Sequence, residues 1–303
     1  MEVYTIGRLL KAVRKEKRIS QLDMCRGLCT KAMVSYIENE LRVPHRKLIE
    51  ALFSRLGESV DLSKVPMTKA DFRRANLEYL INSKVSMDEF DIKGLLDEYA
   101  ACKKSMTHLE RQFLEFYGTL YENRNFDKYE ETLKNLVSVL KITMADYELG
   151  ELPRQLLTKT EIFILNNIAR CKYELGEKDN AIEMLQFLYA HVDSKIFSIE
   201  EFSIIAPVIL FNLANWFGDL GDDEKALEFS ARGLEICIEH GRLNYFAYHL
   251  FNKGYAMSLL NNKEYGKKMI ELSLGVFNKI GQKRNTDYVL PILKEKFGFD
   301  FSF

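Results

Sequence analysis

Asn167, Asn212 and Asn252 each stand two residues before a small residue, Ala169, Ala214 and Gly254. An asparagine amide carries donors and an acceptor, as a peptide unit does. A row of them on one surface can hold the main chain of an extended ligand without reading its side chains. Asn166, Arg170, Phe211, Asn215, Phe251 and Tyr255 occupy neighbouring positions. The rings offer pockets for apolar groups, and Arg170 offers a partner for a carboxylate. The competing reading is that these amides cap turns or bond between adjacent helices. Nucleophilic and metal chemistry find little support. There is no GxxxxGK loop, no HExxH and no nucleophile elbow. The five histidines, at 45, 108, 191, 240 and 249, form no ligand motif. Cys25 and Cys29 are four apart and read as a redox or metal pair or as two small apolar residues; no second pair follows at metal-ligand spacing. The expectation is a protein that is not an enzyme and needs no cofactor and no metal.

The elements that must position the asparagines are helices. The chain of 303 residues holds only five prolines and 16 glycines, so helix breakers are sparse. Short polar turns recur at Tyr121–Phe126, Leu175–Gly176, Leu220–Gly221 and Leu260–Asn261, and from Gly176 to Gly221 to Asn261 the steps are 45 and 40 residues. Each interval is long enough for a helical hairpin that cannot bury its apolar side alone. Stacked hairpins build a solenoid with a concave face. Ala169, Ala214 and Gly254, each seven residues before a turn, permit close helix packing.

Charge divides the chain. Residues 1–57 hold 12 Lys and Arg against 6 Asp and Glu, whereas residues 58–303 hold 31 against 38. A basic segment on an acidic body points to a polyanion for the first part only. Within it, Ile6, Leu9, Leu10 and Val13 mark one apolar helical face. Ser20 is placed to cap a second helix, with Asp23 at its third position, Leu22, Met24, Cys25 and Leu28 inward, and Gly27 near its end. Thr30 is placed to cap a third helix with Met33, Val34 and Ile37 inward. A fourth carries Leu48, Ile49, Leu52, Phe53 and Leu56 and ends at Gly57. Two short helices joined by a tight turn make a helix-turn-helix candidate. The third helix would present Thr30, Lys31, Ala32, Ser35 and Tyr36. Lys31 can reach guanine acceptors, and Thr30, Ala32 or Ser35 a thymine methyl. Gln21, Arg42 and Arg46 suit backbone phosphates. A linker is expected near 57–67. Beyond it, a helix capped by Thr68 would run to about residue 81 with Phe72, Ala75, Leu77, Tyr79 and Leu80 among its contacts. Helices from Met87 to Ala100 and from Thr107 to Tyr121 would follow.

Residues 6–56 resemble the lambda-repressor-like, Xre-type DNA-binding domain in the frame Leu10, Arg14, Ser20-Gln21, Ser35, Ile37-Glu38 and Pro44. That resemblance implies an ion pair between Arg14 and Glu38. Where the family often has Gly, this chain has Glu40, preceded by Asn39, which is expected to take the left-handed backbone. Glu40 is expected to add negative charge near the phosphate surface. The segments ILNNIARCKYELGEKDNAIEML and LFNLANWFGDLGDDEKALEF resemble tetratricopeptide repeats. Together the two parts resemble the peptide-pheromone-responsive regulators of the Rgg, PlcR and PrgX type. The implied fold is all-α: a helix-turn-helix domain over 1–66, then a right-handed tetratricopeptide-like solenoid over 67–303 for regulation, peptide binding and dimerisation. The implied function is transcription regulation switched by a short signalling peptide, that is, quorum sensing. The implied partners are double-stranded DNA at a palindromic operator, the peptide, and a second copy of the chain. The stretch 272–280 offers apolar surface for that dimer. No apolar run approaches the roughly 20 residues of a membrane span, and the odd cysteine count fits a reducing cytoplasm. The alternatives are control by a protein or small molecule, or a repeat adaptor that no longer binds DNA.

Overall fold

The computed structural model describes residues 5–58, 68–85, 91–102, 106–124, 127–153, 156–194 and 197–301. Their regular structure is helical throughout, in the order α1 (Ile6–Glu16), α2 (Gln21–Cys25), α3 (Lys31–Glu38), α4 (Arg46–Arg55), α5 (Lys69–Val85), α6 (Lys93–Ala101), α7 (His108–Glu122), α8 (Tyr129–Leu140), α9 (Lys159–Glu174), α10 (Lys178–Asp193), α11 (Ile199–Asp219), α12 (Asp223–Glu239), α13 (Leu243–Leu259), α14 (Lys263–Lys279) and α15 (Lys283–Phe297). The chain forms two compact units, one of Met1–Lys84 with Ile92–Ser105 and one of Val85–Asp91 with Met106–Phe303.

In the first unit the capping residues act as their types dictate. Ser20 Oγ accepts from the Asp23 N–H at 3.1 Å, and Thr30 Oγ1 from the Met33 N–H at 3.2 Å. Gly27 and Gly57, at φ +77° and +72°, follow α2 and α4 in the left-handed conformation that stops a helix. Ile6, Leu10, Met24, Val34, Ile37, Ile49, Leu52 and Phe53 form one core, each fully or almost fully buried. At about 1.5–3 kcal/mol for each buried large side chain, this core holds the helix pair in place.

Three expectations are corrected here. Leu22 faces solvent rather than the core, because in the five-residue α2 only Met24 and Cys25 turn inward. On α5, Leu77 and Ile81, one i, i+4 row, are buried, while Ala75, Tyr79 and Leu80 are exposed. The left-handed residue after α3 is Glu40, at φ +61°, whereas Asn39 sits at φ −99°. A non-glycine residue there carries steric strain of about 1–2 kcal/mol. Glu40 is held in place by its side chain: Thr5 Oγ1 donates to its carboxylate at 2.5 Å, and Arg8 lies 3.4 Å away. Its charge is therefore largely met within the unit.

Thr68 caps α5 through the Asp71 N–H at 3.1 Å. Residues 59–67 of the expected linker, Met87 itself, and residues 125–126 of the first expected turn lie outside the described residues, but Asp91 and Ile92 are not helical, so α6 begins at Lys93 and the expected helix from Met87 to Ala100 is shortened at its start.

In the second unit the hairpins stack. Besides each helix touching its successor, α7 touches α9, α9 touches α11, and α11 touches α13, so the first helices of the hairpins share one layer. Thr107 and Thr158 each head a helix with a complete capping box. The turn residues Gly176, Gly221 and Asn261 all have positive φ, Asn261 at +67°. Gly241 and Gly281 do too, so left-handed stops recur every 20 residues from 221 to 281. That period sets α12, α13 and α14 at 17 residues each. At Gly254 a β-carbon would lie 2.8 Å from the Gly266 carbonyl oxygen, so α13 and α14 approach as only small residues allow.

Helix α11 is long and apolar enough to span a bilayer by length and composition, with a mean hydropathy of 1.3, contrary to the sequence expectation. It is the central helix of the stack, packed against α9, α10, α12 and α13, which accounts for its apolarity. In the 272–280 stretch Leu274 and Phe277 belong to the core, and of its apolar residues only Leu272 is largely exposed.

Candidate functional site

The first unit centres on Glu38. Its side chain is fully buried, and Arg14 is nearly so. Arg14 Nε donates to Oε1 at 2.5 Å, Arg14 Nη2 to Oε2 at 2.8 Å, and Gln21 Nε2 to Oε2 at 2.8 Å. Burial alone would push the Glu38 carboxyl up. The hydrogen bonds from Arg14 and Gln21, with the charges of Arg14 and Lys11, outweigh it and hold the carboxyl below its ordinary range. Arg14 also donates to the Ile19 carbonyl at 2.9 Å, so one guanidinium ties α1, the α1–α2 turn and α3 together.

Around this pair, Lys31, Ala32 and Tyr36 stand exposed on α3, and Ser35 is half-buried. Thr30 is exposed but its hydroxyl serves as the cap. Arg42 is exposed, and Arg46 is exposed while paired with Glu50 at 2.9 Å. Gln21 stands at the start of α2, with its amide donating inward to Glu38. Sequence reasoning missed Arg55. From the end of α4 its guanidinium donates to the Met24 carbonyl at 3.1 Å and to the Arg26 carbonyl, supplying a cation to the C-terminal end of α2. A cation 29 and 31 residues distant leaves no local signal. The Cys29 thiol is pushed up, by burial first and by Cys25, away from the depressed range of a reactive thiolate.

In the second unit the asparagines meet in pairs. Asn212 Nδ2 on α11 donates to Asn166 Oδ1 on α9 at 3.0 Å. Asn252 Nδ2 on α13 donates to Asn215 Oδ1 on α11 at 2.7 Å. Asn285 Nδ2 on α15 donates to the Tyr248 hydroxyl on α13 at 2.8 Å. Asn166 is buried, whereas Asn212, Asn215 and Asn252 are half-buried. Asn167 bonds within its own helix, donating to the Phe163 carbonyl at 2.8 Å. Arg170 is directed to α8, where it hydrogen-bonds the Tyr129 hydroxyl.

The rings gather beside these amides. Phe211 packs edge-on against Tyr245 and Tyr248, at 5.6 and 5.1 Å between centroids. Phe251 stacks on Tyr255, which meets Phe297 edge-on at 5.1 Å and lies 4.9 Å from Lys296 Nζ. Tyr245, Tyr248 and Phe297 extend the aromatic set beyond the sequence reading. Helix α13, which carries most of these rings, contains no acidic residue. Two surface depressions of about 240 and 340 Å³ lie on α8 and at the α7–α8 turn, away from the asparagine pairs. Among the described residues no group of three or more His, Cys, Asp or Glu could hold a metal ion.

No family model matches the chain, and no curated protein matches it significantly. Solved structures do. PlcR of Bacillus thuringiensis, in complex with the peptide PapR7 and DNA, matches with a TM-score of 0.68 and 14% identity, over 93% of this chain and 98% of PlcR. This chain has the PlcR fold. A putative transcriptional regulator from Listeria monocytogenes EGD-e matches at TM-score 0.59 and 14% identity, over 97% of each chain. ComR from S. thermophilus, in complex with DNA and its signalling peptide ComS, matches at 0.54 and 15% identity, over 91% of this chain and 94% of ComR. The expected all-α order, helix-turn-helix first and stacked hairpins after, is thus the observed one.

Proposed function

We propose that this chain is a sequence-specific DNA-binding transcription regulator whose activity is switched by a short signalling peptide. The observation that carries the reading is the joint occurrence of a basic helix-turn-helix, with Lys31 and Tyr36 exposed on α3, and a repeat layer lined by amides and aromatic rings. The PlcR and ComR structures, each holding DNA and a peptide, support it. Lys31, Ala32, Ser35 and Tyr36 read base edges, with Thr30 beside them, and Arg42 and Arg46 meet phosphates. Gln21 reaches a phosphate with the amide hydrogen not engaged by Glu38. Asn212 and Asn252 hold the peptide main chain, with Asn167, Asn215, Phe211, Phe251 and Tyr255 around them and Arg170 at a carboxylate.

One helix-turn-helix reads few base pairs. A homodimer places two copies of α3 about 34 Å apart, or a multiple of that, on a palindromic operator. The peptide shifts activity by binding one dimer arrangement more tightly than another. The protein works in the reducing cytoplasm. The hydrogen-bonded asparagine pairs favour one competing reading, in which these residues only join helices and the repeats form an adaptor surface.

The test is capture of genomic fragments by the purified protein at fixed salt, with and without a peptide extract of the source culture. Selective capture that changes with the extract supports the proposal. Capture unchanged by the extract overturns the peptide switch, and absence of selective capture by folded protein overturns DNA regulation. Lys31→Ala should weaken capture by about 1–3 kcal/mol and relax its sequence preference.

A further inference from the structure

We infer that Asn166 is a positioning residue: it contacts no ligand itself, and fixes the amide of Asn212 in the orientation that a peptide main chain requires. The inference rests on the peptide reading above and assigns Asn166 a different part in it.

The two members of the pair differ in access. Asn166 is 5% exposed, whereas Asn212 is half-buried. A ligand lying on the layer therefore meets Asn212 first. Asn212 uses one Nδ2 hydrogen on Asn166 Oδ1. Among the described residues its second amide hydrogen and its Oδ1 remain, and these are the complement of one peptide unit: an N–H for a ligand carbonyl and an oxygen for a ligand N–H.

A free asparagine amide rotates between two nearly equivalent orientations, which exchange donor and acceptor. With Asn166 presenting Oδ1 to α11, only one orientation lets Asn212 Nδ2 face it, so the bond selects that orientation and leaves Asn212 Oδ1 in one place. The selection lowers the ordering cost when a ligand arrives. Exchange of the bond for a ligand contact is disfavoured, because Asn166 Oδ1 would be left buried without a partner at about 1–3 kcal/mol. The neighbouring bonds run in the same sense. Asn252 donates to Asn215 and Asn285 to Tyr248, each time from the later helix to the earlier. Asn212 and Asn252 are thus set with the same polarity, which suits a ligand lying in one chain direction.

The experiment compares wild type, Asn166→Leu and Asn166→Asp, as full-length protein, in retention of peptides from the culture extract, quantified by mass spectrometry. Far-UV circular dichroism and the thermal midpoint check folding. Aspartate keeps an oxygen where Asn212 donates but has no amide of its own; leucine has neither. We expect Asn166→Asp to retain the wild-type peptide within about twofold, and Asn166→Leu to lose about tenfold, near one hydrogen bond's worth of affinity. In ¹⁵N spectra the Asn212 side-chain amide should be protected from solvent exchange in wild type and Asn166→Asp only. Equal retention by all three proteins overturns the positioning role while the peptide reading stands. Loss in both folded variants overturns it in favour of direct contact by Asn166. If wild type retains nothing, the peptide reading falls and takes this inference with it.

Discussion

Replacing Arg14 by methionine isolates the energetics of the buried ion pair. The substitution removes two of the three hydrogen bonds to the Glu38 carboxylate and leaves only Gln21. Each bond to a charged group contributes about 1.5–3 kcal/mol, and a buried charge stripped of its partner costs about 3–5 kcal/mol. The loss of the Arg14 bond to the Ile19 carbonyl adds to this. A unit of this size has a stability of the same order, so Arg14→Met should leave it substantially unfolded. The double variant Arg14→Met with Glu38→Leu removes both charges and should return to within about 1–2 kcal/mol of wild type.

The assay is urea unfolding of the full chain, followed by far-UV circular dichroism and by fluorescence of Trp216. That residue is the single tryptophan and lies in α11, so its emission reports the repeat unit. Loss of helix signal at urea concentrations where Trp216 is unperturbed assigns the opening to the first unit. A cost below about 1 kcal/mol for Arg14→Met, or a double variant no better than the single, would refute the reasoning.

Three other residues allow sharp tests. His249 is fully buried beside Pro207, and burial, opposed by its bond to the Pro207 carbonyl at 2.9 Å, lowers its pKa to about 4. The folded protein therefore holds it neutral while the unfolded chain protonates it near its ordinary 6.5. His249 adds no pH dependence above that value and lowers stability by up to about 3 kcal/mol as pH drops from there toward 4; His249→Met should remove that part of the acid limb in pH-dependent urea unfolding, leaving the part from His191, whose pKa burial also lowers. At Gly233 a β-carbon would overlap the His249 ring, so Gly233→Ala should lower stability by about 1–3 kcal/mol despite the helical preference for alanine. Gly275→Ala, with open space around it, should raise the thermal midpoint, and equal shifts at the two sites would contradict the packing argument.

Much of this protein is written in residues a few positions apart. Ser20, Thr30, Thr107 and Thr158 cap helices because each hydroxyl meets an N–H three residues on. Gly176, Gly221 and Asn261 stop helices because they tolerate positive φ, and the hairpin period follows from their spacing. The Arg14–Glu38 pair came from resemblance to a motif, since no local rule joins residues 24 apart.

Other features were decided by the tertiary structure. The asparagine row is visible in the sequence, but its pairing is not, because Asn166 and Asn212 are 46 residues apart and meet only when α9 lies beside α11. Glu40 takes the left-handed backbone in place of Asn39 because Thr5 and Arg8, some thirty residues away, hold its carboxylate. Arg55 supports the end of α2 only once α4 has packed across it. Caps and stops such as Ser20, Thr30, Gly176 and Gly221 depend on one turn of chain, so the sequence by itself determined those helix ends. The direction of each amide and the partner of each charge depend on which distant helix arrives, and that only packing decides.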